Sequence, residues 1–286
     1  LIGIAKQTFP KSIEISDQSP TRELWTISAD RTQMDQVFMN LMINARDAMP
    51  EGGSLTISAE NRYLDEHYAL LNLEAKPGPY VVVTVSDTGS GIPSELLERI
   101  FDPFFTTKEV GKGTGLGLST VMGIVKNHGG FVRVTSELAK GTEFEVFLPA
   151  IQGEIPRAIL EEAMPEGNGE LILIVDDEIS IQEITKTTLE TYHYRTLTAI
   201  DGIEALALYA KHQAEITVVL MDMMMPNLDG LSTIRVLKKM NPAVKIIATS
   251  GILNNKQLAL QAETQTFLLK PYTISQLLQL LKEINY

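Results

Sequence analysis

The second half of this 286-residue chain alternates between two kinds of segment. Leu171–Val175, Arg195–Ala199, Thr217–Met221, Lys245–Thr249 and Thr266–Leu269 are short runs rich in β-forming residues. An amphipathic stretch follows each of them, the last being Ile274–Ile284. Parallel strands need a crossover, most often a helix. Five such units in about 115 residues therefore predict an α/β domain built on a doubly wound parallel sheet. A sheet of that kind gathers its ligand site at the carboxyl ends of its strands.

Those ends carry polar groups. LILIVDDE closes on Asp176 and Asp177, the run Thr217–Met225 carries Asp222, and Asp229-Gly230 follows. Lys245–Gly251 ends in Thr249-Ser250-Gly251, and FLLKPY holds Lys270 before Pro271. Any one acid at a strand end is ordinarily a solvated loop residue or a helix cap. Three carboxylates in one crevice repel one another unless a cation joins them. Mg²⁺ and the Lys270 ammonium would serve, and hard oxygen ligands from Asp176 or Asp177 and Asp222 suit Mg²⁺. The set resembles the receiver domain of response regulators over residues 170–286, a flavodoxin-like (βα)5 fold. That resemblance implies Asp222 as phosphoacceptor, with Asp176 and Asp177 holding Mg²⁺ beside it. It implies Ser250 as the switch hydroxyl, Lys270 as the amine that meets the phosphate, and a cis bond to Pro271. Phe267 stands at the aromatic switch position, where a ring without a hydroxyl can signal only by packing.

Upstream, residues 151–169 mix Pro, Gly and Glu with weak periodicity, which is linker composition. The expected division is a domain over 1–150, a linker over 151–169 and a second domain over 170–286. In the first region Ser12–Ser16, Leu24–Ser28, Leu55–Glu60 and Tyr80–Ser86 read as strands, and Phe131–Leu148 as a hairpin about Lys140-Gly141. Thr32–Met49, Pro93–Ile100 and Ser119–Asn127 read as helices, the first with Asp30 as its start signal. Strands and helices that do not strictly alternate predict a sheet with its helices on one face.

Four motifs stand in order along that region. DQVFMNLMINARDA places Asn40 and Asn44 four apart, on one helical face. Their side-chain carbonyls are oxygen ligands that Mg²⁺ accepts, although two Asn on a helix are ordinarily surface residues. Asp87-Thr88-Gly89-Ser90-Gly91 follows the strand VVVTV; the carboxylate can accept from an adenine amine, and the glycines let backbone approach a flat ring. FDPFFTTK (Phe101–Lys108) reads as the apolar hinge of a lid, with Lys108 within reach of a phosphate. Gly113-Thr114-Gly115-Leu116-Gly117 leads into a helix whose N-terminus favours an anion. Each is weak evidence alone.

In this order and spacing they resemble the ATP-binding domain of histidine kinases, within the larger family of DNA gyrase, mismatch-repair ATPases and Hsp-type chaperones. The resemblance covers residues 12–149. It implies a Bergerat-type α/β sandwich with Mg·ATP beneath a lid, Asn44 on Mg²⁺ and Asp87 on adenine. Gly89, Gly91, Gly113, Gly115 and Gly117 match the two glycine boxes. ATP-hydrolysing relatives carry Glu where Asn40 stands, and an amide cannot take a proton as a general base does. Many histidine kinases place a base three residues after the second Asn, whereas here Arg46 and Asp47 follow it. Arg46 and Lys108 are both candidates to neutralise the phosphates.

Net charge is −12, and it divides evenly: residues 1–150 hold 13 Lys/Arg against 19 Asp/Glu, and residues 151–286 hold 11 against 17. Neither half carries the basic stripe of a nucleic-acid binder. No apolar run reaches the ~18 residues of a membrane span, and the lack of Cys is compatible with a cytoplasmic protein. The chain starts at Leu1 without a Met, so a preceding piece is expected. None of His67, His128, His193 and His212 lies in a phosphoacceptor-type helix. The expected partners are thus a His-containing dimerisation domain outside this chain and a downstream phosphotransfer protein or response regulator. Two competing readings are a regulatory module that binds ATP without transferring it, and a gyrase-type ATPase, which Asn40 disfavours.

Overall fold

The computed structural model describes residues 2–19, 24–108, 114–151, 164–252, 254–264 and 266–285. Gly113 and most of the expected linker, residues 152–163, lie outside the described residues. The chain divides into two compact units, residues 1–63 with 78–156 and residues 64–77 with 157–286. The segment 64–77 thus packs with the second unit, although the sequence places it within 1–150.

In the first unit a five-stranded sheet runs in the order β1-β2-β3-β5-β4: β1 (Ile13–Asp17), β2 (Gly53–Leu64), β3 (Gly78–Asp87), β4 (Phe131–Glu137) and β5 (Gly141–Pro149). β1 pairs with β2 in parallel, and β5 pairs antiparallel with both β3 and β4. Three helices, α1 (Ile2–Thr8), α2 (Arg31–Ala48) and α4 (Gly117–Asn127), share one apolar core with this sheet. α2 starts where Asp30 accepts the Gln33 N–H at 2.9 Å. Its buried positions Met34, Val37, Leu41 and Ala45 recur at helical spacing and face Leu55, Val85 and Val146 of the sheet. Along β5 the intervening residues turn to the other side, where Phe147 stacks on Phe131 at 4.3 Å. The buried Glu145 there accepts from both Arg62 and Arg133.

Two expected elements shrink. Leu24–Ser28 forms only an isolated bridge between Ile27 and Ala150, because the Trp25 N–H goes to the Asn61 side chain instead of a ladder. Pro93–Ile100 holds one 3₁₀ turn, Ser94–Leu96, followed by mostly i to i+3 bonds up to Asp102.

The second unit carries five parallel strands in the order β10-β9-β8-β6-β7: β6 (Leu171–Val175), β7 (Arg195–Ala199), β8 (Ile216–Asp222), β9 (Lys245–Ser250) and β10 (Thr266–Leu269). Helices α5 (Ile179–Thr191), α6 (Gly202–His212), α7 (Gly230–Met240), α8 (Asn254–Gln261) and α9 (Ile274–Asn285) follow the strands in turn. Side chains of β6 alternate between two cores: Leu171, Leu173 and Val175 enter one, Ile172 and Ile174 the other. Both faces of the sheet are therefore covered, as an all-parallel sheet requires. Strand order reverses between β6 and β8, and the crevice opens there. The unit also includes α3 (Glu66–Leu71), whose cap Asp65 accepts the Tyr68 N–H and, with its other oxygen, the Ile274 N–H at the start of α9. No helix among the described residues is long and apolar enough to cross a membrane.

Leu173 lies fully buried on the central strand β6. Leu173→Ala should cost about 2–5 kcal/mol, so amides of β6 and β8 should exchange at least about 30-fold faster by hydrogen-exchange mass spectrometry. Unchanged exchange would mean that this strand does not organise the unit.

Candidate functional site

The four motifs of the first unit meet around one cleft of about 600 Å³. α2 forms one wall. Beside its buried stripe, Asn40, Asn44 and Asp47 follow one another at i, i+4 and i+7 and all line the cleft. The Asn40 amide donates to the Gly117 carbonyl at 3.3 Å, which ties α2 to the first residue of α4. Asp87, at the end of β3, is buried and accepts the Gly89 N–H at 2.8 Å. Gly91 has φ +70, and a Cβ there would meet the Glu137 carbonyl oxygen at 2.1 Å, so only glycine closes this turn.

The glycine loop arrives through Thr114, Gly115, Leu116 and Gly117, three of which line the cleft while Leu116 stands exposed before α4. Gly115 has φ +66, and its carbonyl accepts the Phe104 N–H at 3.0 Å, so the loop and the Phe segment are joined by backbone. α4 starts at Gly117 with no side-chain cap on its first turn, an arrangement that leaves amides for an anion. The three phenylalanines part company. Phe101 and Phe105 pack against the core, whereas Phe104 is 73% exposed with φ +66. The expected apolar hinge is thus two core rings and one solvent-facing ring. Arg46 and Lys108, the two phosphate candidates, both bond Asp47.

In the second unit the strand ends bring Asp176, Asp177 and Asp222 together, with one carboxylate oxygen of each within 4.8 Å of the others. Asp176 and Asp222 are buried, and Asp177 is exposed. Lys270 reaches between the buried pair, with its Nζ 2.6 Å from Asp176 Oδ2 and 2.7 Å from Asp222 Oδ2. The remaining oxygens accept backbone N–H groups, Glu178 to Asp176 at 3.0 Å and Met224 to Asp222 at 2.9 Å. Burial would lower the Lys270 ammonium, but the two carboxylates outweigh it and hold it above its ordinary value. Burial raises Asp176, and Lys270 only partly offsets that.

Lys270-Pro271 is cis, as the resemblance implies. Ser250 is fully buried, and its hydroxyl accepts the Ile252 N–H at 3.1 Å and an Asn255 amide N–H at 2.9 Å. It is therefore engaged outside the acidic cluster. Phe267 packs against the core. Two residues were not singled out by sequence. Gln182 donates to the carbonyls of Asp176 and Ala199 at 2.6 and 2.7 Å and so fixes the acidic turn. Gly230 allows α7 to begin where a Cβ would meet the Asp222 carbonyl at 2.2 Å.

Residues 29–152 match the family described as histidine kinase-, DNA gyrase B-, and HSP90-like ATPase, and residues 172–282 match the response regulator receiver domain. The chain joins a histidine kinase-like ATPase domain to a receiver domain. Sensor kinase CckA of Brucella abortus (strain 2308) is 40% identical over 275 residues, which cover 92% of this chain and 29% of that protein. Aerobic respiration control sensor protein ArcB of Escherichia coli (strain K12) is 29% identical over 268 residues, or 90% of this chain and 32% of that protein. Sporulation kinase C of Bacillus subtilis (strain 168) is 42% identical over 123 residues, or 43% and 25%. The chain thus spans under a third of each of these relatives.

In the ATPase domain Asp87 carries a folding cost. Burial raises its carboxyl above the ordinary value of 3.8, and the N–H groups of Gly89 and Thr142 offset this only in part. A raised folded-state value gives a stabilising contribution that is complete below 3.8 and is lost as pH climbs through the raised value. Asp87→Asn carries no charge to desolvate. Its melting temperature should therefore gain on the parent between about pH 4 and pH 7. A flat or falling difference across that range would contradict the assignment.

Proposed function

We propose that this chain supplies the catalytic and receiver parts of a hybrid sensor histidine kinase. The ATPase domain binds Mg·ATP for phosphorylation of a His on a dimerisation domain outside the chain, and Asp222 accepts a phosphoryl group in a phosphorelay. A downstream phosphotransfer protein or response regulator would take the group onward. The supply of ATP puts both domains in the cytoplasm, and residues 151–169 act as the linker between them.

The observation that carries the receiver reading is the Lys270 ammonium held within 2.7 Å of both buried carboxylates. Asp222 accepts from that ammonium through Oδ2, and its carboxylate is the nucleophile. Its oxygen forms a bond to the phosphorus of a phosphorylated imidazole while the P–N bond breaks, and the electron pair returns to the imidazole. The three carboxylates offer hard oxygen ligands close together, a donor set that fits Mg²⁺. Mg²⁺, when bound, supplies charge neutralisation for the phosphoryl oxygens; Asp176, Asp177 and Asp222 would hold it here, and Asn44 in the ATP cleft. Once the acyl phosphate has formed, Lys270 can bond it directly, whereas the Ser250 hydroxyl must first leave Ile252 and Asn255. In the cleft, Asp87 accepts from the adenine amine, and the amides at the start of α4 face the phosphates. Asn40 stands where a water-activating acid would be needed, which favours a transferase over a hydrolase.

Incubation with acetyl phosphate and Mg²⁺ should add one phosphate to the parent by intact-mass analysis and none to Asp222→Asn. Equal labelling of both proteins would remove Asp222 as the acceptor.

With ATP alone the chain should acquire no base-stable, acid-labile label. His67 is only 3% exposed, and its ring nitrogens lie 3.2 Å from the Tyr272 carbonyl and the Thr185 hydroxyl. His128 is likewise occupied, at Nδ1 by the Ile124 carbonyl and at Nε2 by the Asp30 N–H. Label should appear on an added two-helix dimerisation domain. Its absence there, with ATP still bound, would favour the regulatory module that binds ATP without transferring it.

A further inference from the structure

The stripe of α2 that carries Asn40 and Asn44 ends on Asp47, a carboxylate lining the same cleft. An anion beside an ATP phosphate has the wrong sign by itself. Its partners change that. Asp47 Oδ2 accepts the Lys108 ammonium at 2.6 Å, from a residue 61 positions further along the chain. Asp47 Oδ1 accepts Arg46 through Nε at 2.9 Å and Nη2 at 2.6 Å. The Arg46 guanidinium is held from a second side, with its carbon 5.4 Å from the centre of the Phe9 ring. Partial burial would raise the Asp47 carboxyl, but the two cations outweigh it and keep it below its ordinary value. One anion thus gathers two cations and leaves the cluster positive.

Lys108 needs such an anchor. It follows a stretch without regular structure, and its ammonium ends a flexible four-carbon stem. Bonded to Asp47, it still has two N–H donors to offer.

We propose that Asp47 is a positioning residue for ATP, gathering Lys108 and Arg46 at the phosphate end of the cleft. The proposal rests on reading this cleft as the ATP site. Asp47 touches no phosphate; it acts through the two cations. A plain count of charge makes the opposite forecast, because removing Asp47 adds one positive charge and should tighten the binding of an anion. The two accounts differ in sign.

Calorimetry on the full chain, with ATP and with adenosine in the presence of Mg²⁺, separates them. The parent should bind ATP more tightly than adenosine. Asp47→Asn should lose roughly threefold in ATP affinity, as a partly exposed ion pair allows, with adenosine affinity unchanged. Asp47→Glu should recover most of the loss, and Asp47→Asn made on Lys108→Ala should cost less than it does in the parent. Tighter or unchanged ATP binding by Asp47→Asn would overturn the positioning role and leave the site standing. An equal loss for adenosine and ATP would overturn it too, since it would mark a role in folding alone. A parent that binds adenosine as well as ATP would overturn the site reading, and this proposal with it.

Discussion

Two buried carboxylates share the end of one parallel sheet only because a buried ammonium lies between them. Asp176 and Asp222 end strands β6 and β8, which are direct neighbours where the strand order reverses. Left alone, each would carry both a desolvation penalty and the repulsion of the other. Lys270 contributes one N–H to each, and the backbone amides of Glu178 and Met224 take the opposite oxygens. The geometry of the loops follows from that demand. Gln182 pins the carbonyl behind Asp176, and glycine is required at 230 because α7 must begin against the Asp222 carbonyl. An arrangement in which both oxygens of Asp176 and of Asp222 have partners before any ligand arrives can still exchange them. In the proposed phosphorelay Lys270 would give up such a contact to the incoming phosphoryl group.

The ATPase domain meets the same problem with less burial. In the proposed ATP site the phosphate end would use backbone amides at the start of α4 together with cations that are partly exposed. Such pairs contribute little to stability, so their value lies in where they hold the charge. On the same reading burial is reserved for the base end of the cleft, where Asp87 forgoes solvent and would present an acceptor in an apolar surround. So read, the cleft would combine a fixed end for base recognition with a looser end for charge.

Much of this can be read from the sequence, for reasons that differ between the domains. The five strands of the receiver are short and rich in β-forming residues, so Leu171–Val175, Arg195–Ala199 and Thr266–Leu269 are legible to the residue. Its acids fall at strand ends, and that placement alone identifies the crevice. In the ATPase domain the long helix and the hairpin are equally plain. What escapes is everything decided by side chains far apart in sequence. Leu24–Ser28 has strand composition, but the Asn61 side chain takes the Trp25 N–H that a ladder would need. Phe101, Phe104 and Phe105 look alike on paper, and backbone contact with Gly115 decides which ring is left outside. Asp47 reads as a charge of the wrong sign until Lys108 is seen beside it. The pairing of α3 with the strands and helices of the receiver has no local signal, because it depends on Asp65 capping α9 more than 200 residues later.

The two sites also divide the chemistry in a way that one residue makes plain. An amide at position 40 bonds the Gly117 carbonyl and so steadies the junction between α2 and α4. It cannot take a proton from water at neutral pH. A carboxylate at that point could take the proton, but it would face the same carbonyl with an unfavourable lone-pair contact unless it were protonated. Asn40 therefore fits a cleft that holds ATP rather than spends it on water. The receiver supplies the complementary property. In the proposed relay the nucleophile is the Asp222 carboxylate, whose Oδ2 already accepts from the Lys270 ammonium. In that proposal nucleophilic chemistry resides in the receiver, and the ATPase cleft is left with binding and orientation, the tasks on which phosphoryl transfer chiefly depends.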